Sequence, residues 1–195
     1  MPIKRPKHLL IIGGGVFQVP AIKTAKSMGL KVVVTDYNPE AEGMLLADYP
    51  IEVSTRNINL TVNTAKQFHS TCPLDGVMTV GTDASQTVAA VADALGIPGI
   101  PFEVAERATD KIKMRQVLKE KGVPVPDFRP IWTLAECQEA VKVMPLPLVI
   151  KPCDNMGARG VRKIECHDDL IPAFREAKEA SISGKLILEE FMEGP

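Results

Sequence analysis

Leu148-Val149-Ile150-Lys151-Pro152-Cys153-Asp154-Asn155-Met156-Gly157-Ala158-Arg159-Gly160-Val161 is the stretch that decides how this chain folds. It reads as an apolar strand that delivers a lysine into a short loop with glycines at Gly157 and Gly160. A second strand, Lys185-Leu186-Ile187-Leu188, runs straight into Glu189-Glu190-Phe191-Met192. A strand-end lysine followed by a glycine-bearing loop suits a polyphosphate. The ammonium is a compact charge, and glycine lets backbone N–H groups approach the oxygens. In the loop G-x-x-x-x-G-K-[ST] the lysine follows the glycines, whereas here it precedes them. The stretch therefore predicts a nucleotide site of a different geometry.

Working outward, the apolar run His8–Ile12 ends at Gly13-Gly14-Gly15, and a helix from about Val16 to Met28 stops at Gly29. Lys31–Thr35 is a β-branched strand that closes on Asp36 and the turn residues Asn38-Pro39. Further strands are expected at 51–53 and 76–80, with helices at 60–70 and 84–95. This alternation predicts an α/β, Rossmann-like, doubly wound parallel sheet over residues 1–102. Residues 103–126 read as a helical linker, with helices at 103–109 and 111–121, a stop at Gly122 and extended chain at Pro124 and Pro126. Residues 127–195 read as a small α+β subdomain. Its strands are 128–131, 148–151 and 186–190, with 161–165 as hairpin partner of the second, and its helices are 134–143 and 168–180.

Composition narrows the function. Hydrophobic content of 45% and charged content of 24% belong to a globular protein, not a disordered one. A net charge of −1 argues against a general nucleic-acid or membrane-surface role. No apolar run approaches the roughly 20 residues of a spanning helix. The basic N-terminus lacks a cleavable signal pattern, so a cytoplasmic location is expected. Cys72, Cys137, Cys153 and Cys166 form no C-x-x-C pair and read as reduced thiols, and the three histidines have no metal-ligand spacing.

Thr109-Asp110-Lys111 opens a helix that runs on to Leu118-Lys119-Glu120-Lys121-Gly122-Val123-Pro124-Val125-Pro126. With Ile11-Ile12-Gly13-Gly14-Gly15 upstream and the lysine–glycine loop downstream, the order resembles the ATP-grasp superfamily along the whole chain. That family ligates a carboxylate to an amine, thiol or other nucleophile through an acyl-phosphate, releasing ADP and phosphate. Carbamoyl-phosphate synthetase large-subunit-like proteins, amino-acid ligases and purine-pathway carboxylate ligases are the branches that this chain looks most like. The resemblance implies a Rossmann-like domain before the ATP-grasp fold, whose first subdomain forms the nucleotide lid. ATP and Mg2+ are the implied cofactors, and a carboxylate, an amine or other nucleophile, and a second copy of the chain the implied partners.

Carried over residue by residue, the resemblance implies that Lys111 and Lys151 contact phosphates. Gly157, Arg159 and Gly160 fall in the loop that closes over the triphosphate, although Arg159 stands equally as a surface residue. Backbone groups of Glu190 and Met192 pair with the adenine edge, while Phe191 packs as core. Glu189 reads alternatively as a solvated strand-end charge, and Lys113, Arg115 and Lys119 as a solvated helix face. The family's catalytic residues and Mg2+ ligands would lie in strands beyond Pro195. A truncated ligase, inactive as these 195 residues alone, is the expectation.

Two motifs remain open. Gly13-Gly14-Gly15 either permits a tight strand-to-helix turn or helps to bind the non-nucleotide substrate. Dinucleotide binding needs a third glycine where Gln18 stands, despite Asp36 at a spacing suited to a ribose. Asp83 reads first as the N-cap of the helix from Ala84, and second as a substrate contact at a strand C-terminus. The alternatives to a ligase are an ATP-binding module without ligase chemistry and a Rossmann-type dinucleotide-binding protein.

Overall fold

A computed structural model describes residues 5–194. They form two compact units that divide between Ala105 and Glu106. In the first, strands β1 (His8–Ile12), β2 (Lys31–Asp36), β3 (Tyr49–Glu52) and β4 (Leu74–Met78) make a parallel sheet in the order β3-β2-β1-β4. The helices are α1 (Val19–Ser27), α2 (Glu42–Leu46), α3 (Ile58–Thr71) and α4 (Ser85–Leu95). The central strands are apolar on both sides because both faces are covered. Ile11, Val32 and Val34 pack with Ile22, Ala25 and Met44 on one face. Leu10, Ile12 and Val33 pack with Ala65, Ala84 and Val91 on the other.

The short helix α2 is absent from the sequence reading, since five residues give periodicity too little room. Tertiary contact explains it. Gly43 N donates to Gly14 O at 2.6 Å, and a Cβ on Gly43 would stand only 2.7 Å from that oxygen. Two backbones meet there, and only glycine allows it.

Helix α5 (Phe102–Thr109) contains the division between the units, and α6 (Lys111–Glu120) follows it. The second unit is an antiparallel sheet of β5 (Phe128–Ile131), β6 (Leu148–Pro152), β7 (Arg162–Ile164) and β8 (Leu186–Glu190), in the order β5-β8-β6-β7. The expected hairpin joins β6 to β7, with Leu148 opposite Ile164. Helices α7 (Leu134–Ala140) and α8 (Leu170–Ala180) cover one face. There Leu148, Ile150, Leu186 and Leu188 are packed against Cys137, Phe174 and Ala177. Ile187 on the opposite face belongs to a smaller cluster with Ile112 of α6, Cys153 and Phe128. Strand alternation therefore sends Val149 and Lys151 to the face away from the α7–α8 core.

Candidate functional site

Asp110 begins the site by ending the chain's freedom at α6. Its Oδ1 accepts from Ile112 N at 2.9 Å and Lys113 N at 3.1 Å, the usual work of an aspartate N-cap. Lys111 is thereby held at the first turn, where the helix dipole disfavours a cation. It is stabilised from elsewhere. Its Nζ donates to Asn155 O at 2.6 Å and lies 3.5 Å from Cys153 O, while its own N–H reaches Cys153 O at 3.2 Å. Burial, and next the Lys151 charge, hold the Lys111 ammonium below the usual lysine range. Two crowded ammonium groups form a place that an anion would relieve.

Lys151 Nζ lies 2.6 Å from Glu189 Oε2. Arg115 takes the same carboxylate with both arms, Nε to Oε1 at 2.9 Å and Nη2 to Oε2 at 3.3 Å. Glu189 is 3% exposed, which corrects its reading as a solvated strand-end charge. Arg115 likewise leaves the solvated face to which the sequence assigned it. Lys113 and Lys119 lie elsewhere, paired with Glu106 and set over the Phe128 ring. Burial alone would raise the Glu189 carboxyl, but the bonds from Arg115 and Lys151 outweigh it and hold the group below the usual range.

The glycine loop leaves β6 tied down at its base. Asp154 accepts from Ser181 Oγ at 3.2 Å, Ile182 N at 3.3 Å and Ser183 N at 2.6 Å, all just past α8. Asn155 Nδ2 donates to Ala180 O at 2.9 Å, and its Oδ1 accepts from Arg159 at 2.8 Å. Gly157 has φ +70°, and nothing lies within 4 Å of where a Cβ would stand. Gly160 also has a packing reason to be glycine. A Cβ there would stand 2.5 Å from Ala180 Cβ and 3.3 Å from Ala177 Cα, so it serves the packing of the loop on α8. Cys153 is buried beside the loop, and burial followed by the Asp110 charge pushes its thiol up to about 12. It is a protonated filler.

At the end of β8, Glu190 N donates to Asp127 O at 2.9 Å and Phe191 N to Pro147 O at 3.2 Å. Met192 is exposed at 67%, and its N–H has no partner among the described residues. Phe191 is only half-buried and lies outside the core clusters, contrary to its expected packing. Its ring instead carries Lys163 Nζ 4.3 Å from the centroid. Lys111, Lys151 and the loop are thus brought into one neighbourhood of the second unit, with Glu190–Met192 leaving the adjacent strand.

In the first unit, the sheet's C-terminal edge holds a cleft of about 550 Å³. Gly13, Gly15 and Asp83 line it, together with Gln18, Asp36, Tyr37 and Arg56. Gly14 does not, because it is turned toward Met44 and Gly43. The N-cap of α4 is Ala84, so Asp83 is not the cap that the sequence favoured but stands on the rim of the cleft. Asp36 binds its own turn, accepting from Gly14 N at 2.8 Å and Asn38 N at 3.0 Å. Gln18 is 4% exposed and donates to Val80 O across the cleft floor. Its side chain covers Gly13 and Gly15, filling the space that a pyrophosphate needs over a dinucleotide turn. The sequence showed Gln18 only as a departure from a motif and offered no signal for Arg56.

Among the described residues, no group of three or more His, Cys, Asp or Glu is arranged to hold a metal ion. No described helix is long and apolar enough to cross a membrane.

Residues 22–99 match the family described as ATP-grasp N-terminal domain, and residues 108–195 the family described as ATP-grasp domain. A D-alanine–D-alanine ligase from Marinobacter nauticus is 30% identical over 106 residues, which cover 52% of this chain and 32% of that protein. The crystal structure of L-amino acid ligase from Bacillus licheniformis superposes with a TM-score of 0.75 at 26% identity, over 99% of this chain and 46% of that one. An N5-carboxyaminoimidazole ribonucleotide synthetase, described as an ADP complex, shares the fold at 20% identity and TM-score 0.76, over 97% of this chain and 48% of that one. The chain spans about a third to a half of the length of the curated relatives that it matches. With its two family matches in consecutive order and its fold shared with those enzymes, the chain belongs to the ATP-grasp superfamily.

Proposed function

We propose that these residues form the nucleotide-holding portion of a cytoplasmic, ATP-dependent ligase that joins a carboxylate to an amine or other nucleophile. ATP would phosphorylate the carboxylate, and the nucleophile would displace phosphate from the mixed anhydride, leaving ADP and phosphate. The observation that carries this reading is the crowding of Lys111 and Lys151 at the base of a glycine loop. Desolvated and repelled by the Lys151 charge, the Lys111 ammonium favours a polyanion beside it.

In this reading Lys111 and Lys151 hold phosphates, and Gly157, Arg159 and Gly160 belong to the covering loop. The Glu190 carbonyl and the Met192 N–H meet the adenine edge, and the unpartnered state of that N–H supports the assignment. Mg2+ would accompany the nucleotide, because phosphoryl transfer needs divalent charge at the phosphates. The cleft at Gly13, Gly15 and Asp83 takes the non-nucleotide substrate, with Gly14 supporting its wall.

The test is an assay of the full-length protein with ATP, Mg2+ and a panel of carboxylates and nucleophiles. The panel covers amino-acid, purine-pathway and carbamoyl-phosphate synthetase-like substrates. ADP and phosphate released only when both substrates are present would support the ligase. AMP and pyrophosphate would overturn the acyl-phosphate route, and nucleotide binding without turnover would leave the binding-module reading. Sedimentation of the same protein tests the expected homodimer.

A further inference from the structure

The ion cluster around Glu189 has an arrangement that a simple phosphate lysine does not need. Lys151, the residue assigned above to the phosphates, is already occupied by a buried carboxylate at 2.6 Å. To reach an anion it must loosen that bond. A lone buried carboxylate resists this strongly, since breaking a buried pair leaves an uncompensated charge. Here the carboxylate has a second partner. Arg115 holds both of its oxygens, and Arg115, Lys151 and Glu189 have side-chain exposures of 21%, 18% and 4%. Two cations on one carboxylate leave a net positive charge in a partly dry site, with the Lys111 charge near enough to be felt.

Geometry assigns the two cations different tasks. Arg115 reaches Glu189 from the middle of α6, a helix anchored by the Asp110 cap and by Ile112 packed against Ile187 and Cys153. Its planar fork grips the carboxylate in a fixed orientation. Lys151 is the penultimate residue of β6, close to the loop, and reaches Glu189 on a flexible stem with a single contact. The rigid partner can keep the carboxylate neutralised while the flexible one turns away.

Resting on the ligase reading, we propose that Arg115 is a positioning residue for the nucleotide phosphates: it retains Glu189 so that Lys151 is released to the incoming phosphoryl group. Arg115 itself does not touch the nucleotide. Without it, Glu189 would hold Lys151 as its remaining partner and compete with the phosphates for the ammonium.

The experiment measures ADP affinity of the full-length protein by calorimetry, beside a thermal melt of each variant. Lys151→Met should weaken binding by about ten- to a hundredfold, the value of a charge-assisted contact, and adding Glu189→Gln should not restore it. Arg115→Met should weaken binding by about tenfold, and Arg115→Met with Glu189→Gln should recover most of that loss, because a neutral amide no longer competes for Lys151. A purely structural Arg115 would lower the melting temperature without changing the affinity of the folded protein, and that result overturns the proposal. So does a loss in Arg115→Met that Glu189→Gln fails to rescue. If Arg115→Met does not fold, Arg115→Gln, which keeps one donor for the carboxylate, is held to the same two criteria. Should Lys151→Met bind ADP as the wild type does, the phosphate-site reading itself falls, an outcome distinct from any failure of Arg115.

Discussion

Lys151 and Glu189 are diagonal neighbours on one face of the sheet, with Val149 opposite Glu189 and Lys151 opposite Ile187, and their charged atoms meet at 2.6 Å. A diagonal pair on adjacent strands is within reach of long side chains, so register alone brings them together. The contact makes Lys151 a different kind of lysine from those on the protein's surface. Lys151→Ala should therefore weaken ATP binding by about one to two decades, while Lys119→Ala should change it little. Equal, small losses measured by calorimetry would leave Lys151 without a phosphate role.

Binding should also be linked to protons through Lys111. Burial and the Lys151 charge lower its folded-state pKa, so in the free protein it loses its proton at a lower pH than an ordinary lysine. A bound polyanion favours the ammonium and raises that pKa again. Between the free and bound values, nucleotide binding takes up a proton, and affinity falls as pH rises through this window. Calorimetry at alkaline pH in buffers of different ionisation enthalpy reads the uptake, and Lys111→Met should abolish it.

The Glu189 cluster should make the second unit sensitive to acid. Its carboxyl is held below the ordinary glutamate value, so its stabilisation is fully present above that value and is lost as pH falls through the lower folded value. Trp132, the single tryptophan of the sequence, lies at the end of β5 and offers a fluorescence probe of unfolding in this unit. Glu189→Gln should flatten the acid limb of the stability curve. A limb of unchanged steepness would assign acid sensitivity to other carboxylates.

The two loop glycines should differ on substitution. Gly157→Ala faces only the cost of left-handed backbone, about 1–2 kcal/mol. Gly160→Ala has that cost and also a clash with Ala180 and Ala177, which should add about 1–3 kcal/mol. Chemical denaturation would rank them. Gly157→Ala as the more damaging change would contradict the packing of Gly160 on α8.

Loop opening should be confined to the tip. Asp154 and Asn155 are bonded to the chain around the end of α8, whereas Met156 is 54% exposed and the tip has few apolar anchors. Amide exchange in the nucleotide-free protein should be faster at residues 156–159 than at 154, 155 or the strands β6 and β7. Adding a nonhydrolysable ATP analogue should slow the tip. A tip that exchanges slowly and unchanged in both states would return Gly157 to the role of a turn glycine.

Much of this architecture was legible because it is written in local pattern. Apolar runs, helix stops at Gly29, Gly96 and Gly122, and the lysine–glycine order place β1, β5, β6 and β8 and the glycine loop after β6 without any tertiary information. Helix α2 escaped because its formation depends on Gly43 meeting Gly14 across the unit, a contact with no local signal. Asp83 was misread as a cap because a sequence cannot decide between adjacent cap positions, and the cap fell one residue on, at Ala84.

What the sequence by itself determined is the order of elements and the residue types delivered to their ends, since propensity, periodicity and turn chemistry act over a few neighbours. What only the tertiary structure decided is which charges meet. Arg115 and Glu189 are 74 positions apart, and no spacing rule links them. Their pairing follows from Ile112 seating α6 against Ile187, while the register of β6 on β8 brings Lys151 to the same carboxylate. Once that apolar contact buries the carboxylate, electrostatics requires compensating cations, and Arg115 and Lys151 are the two within reach.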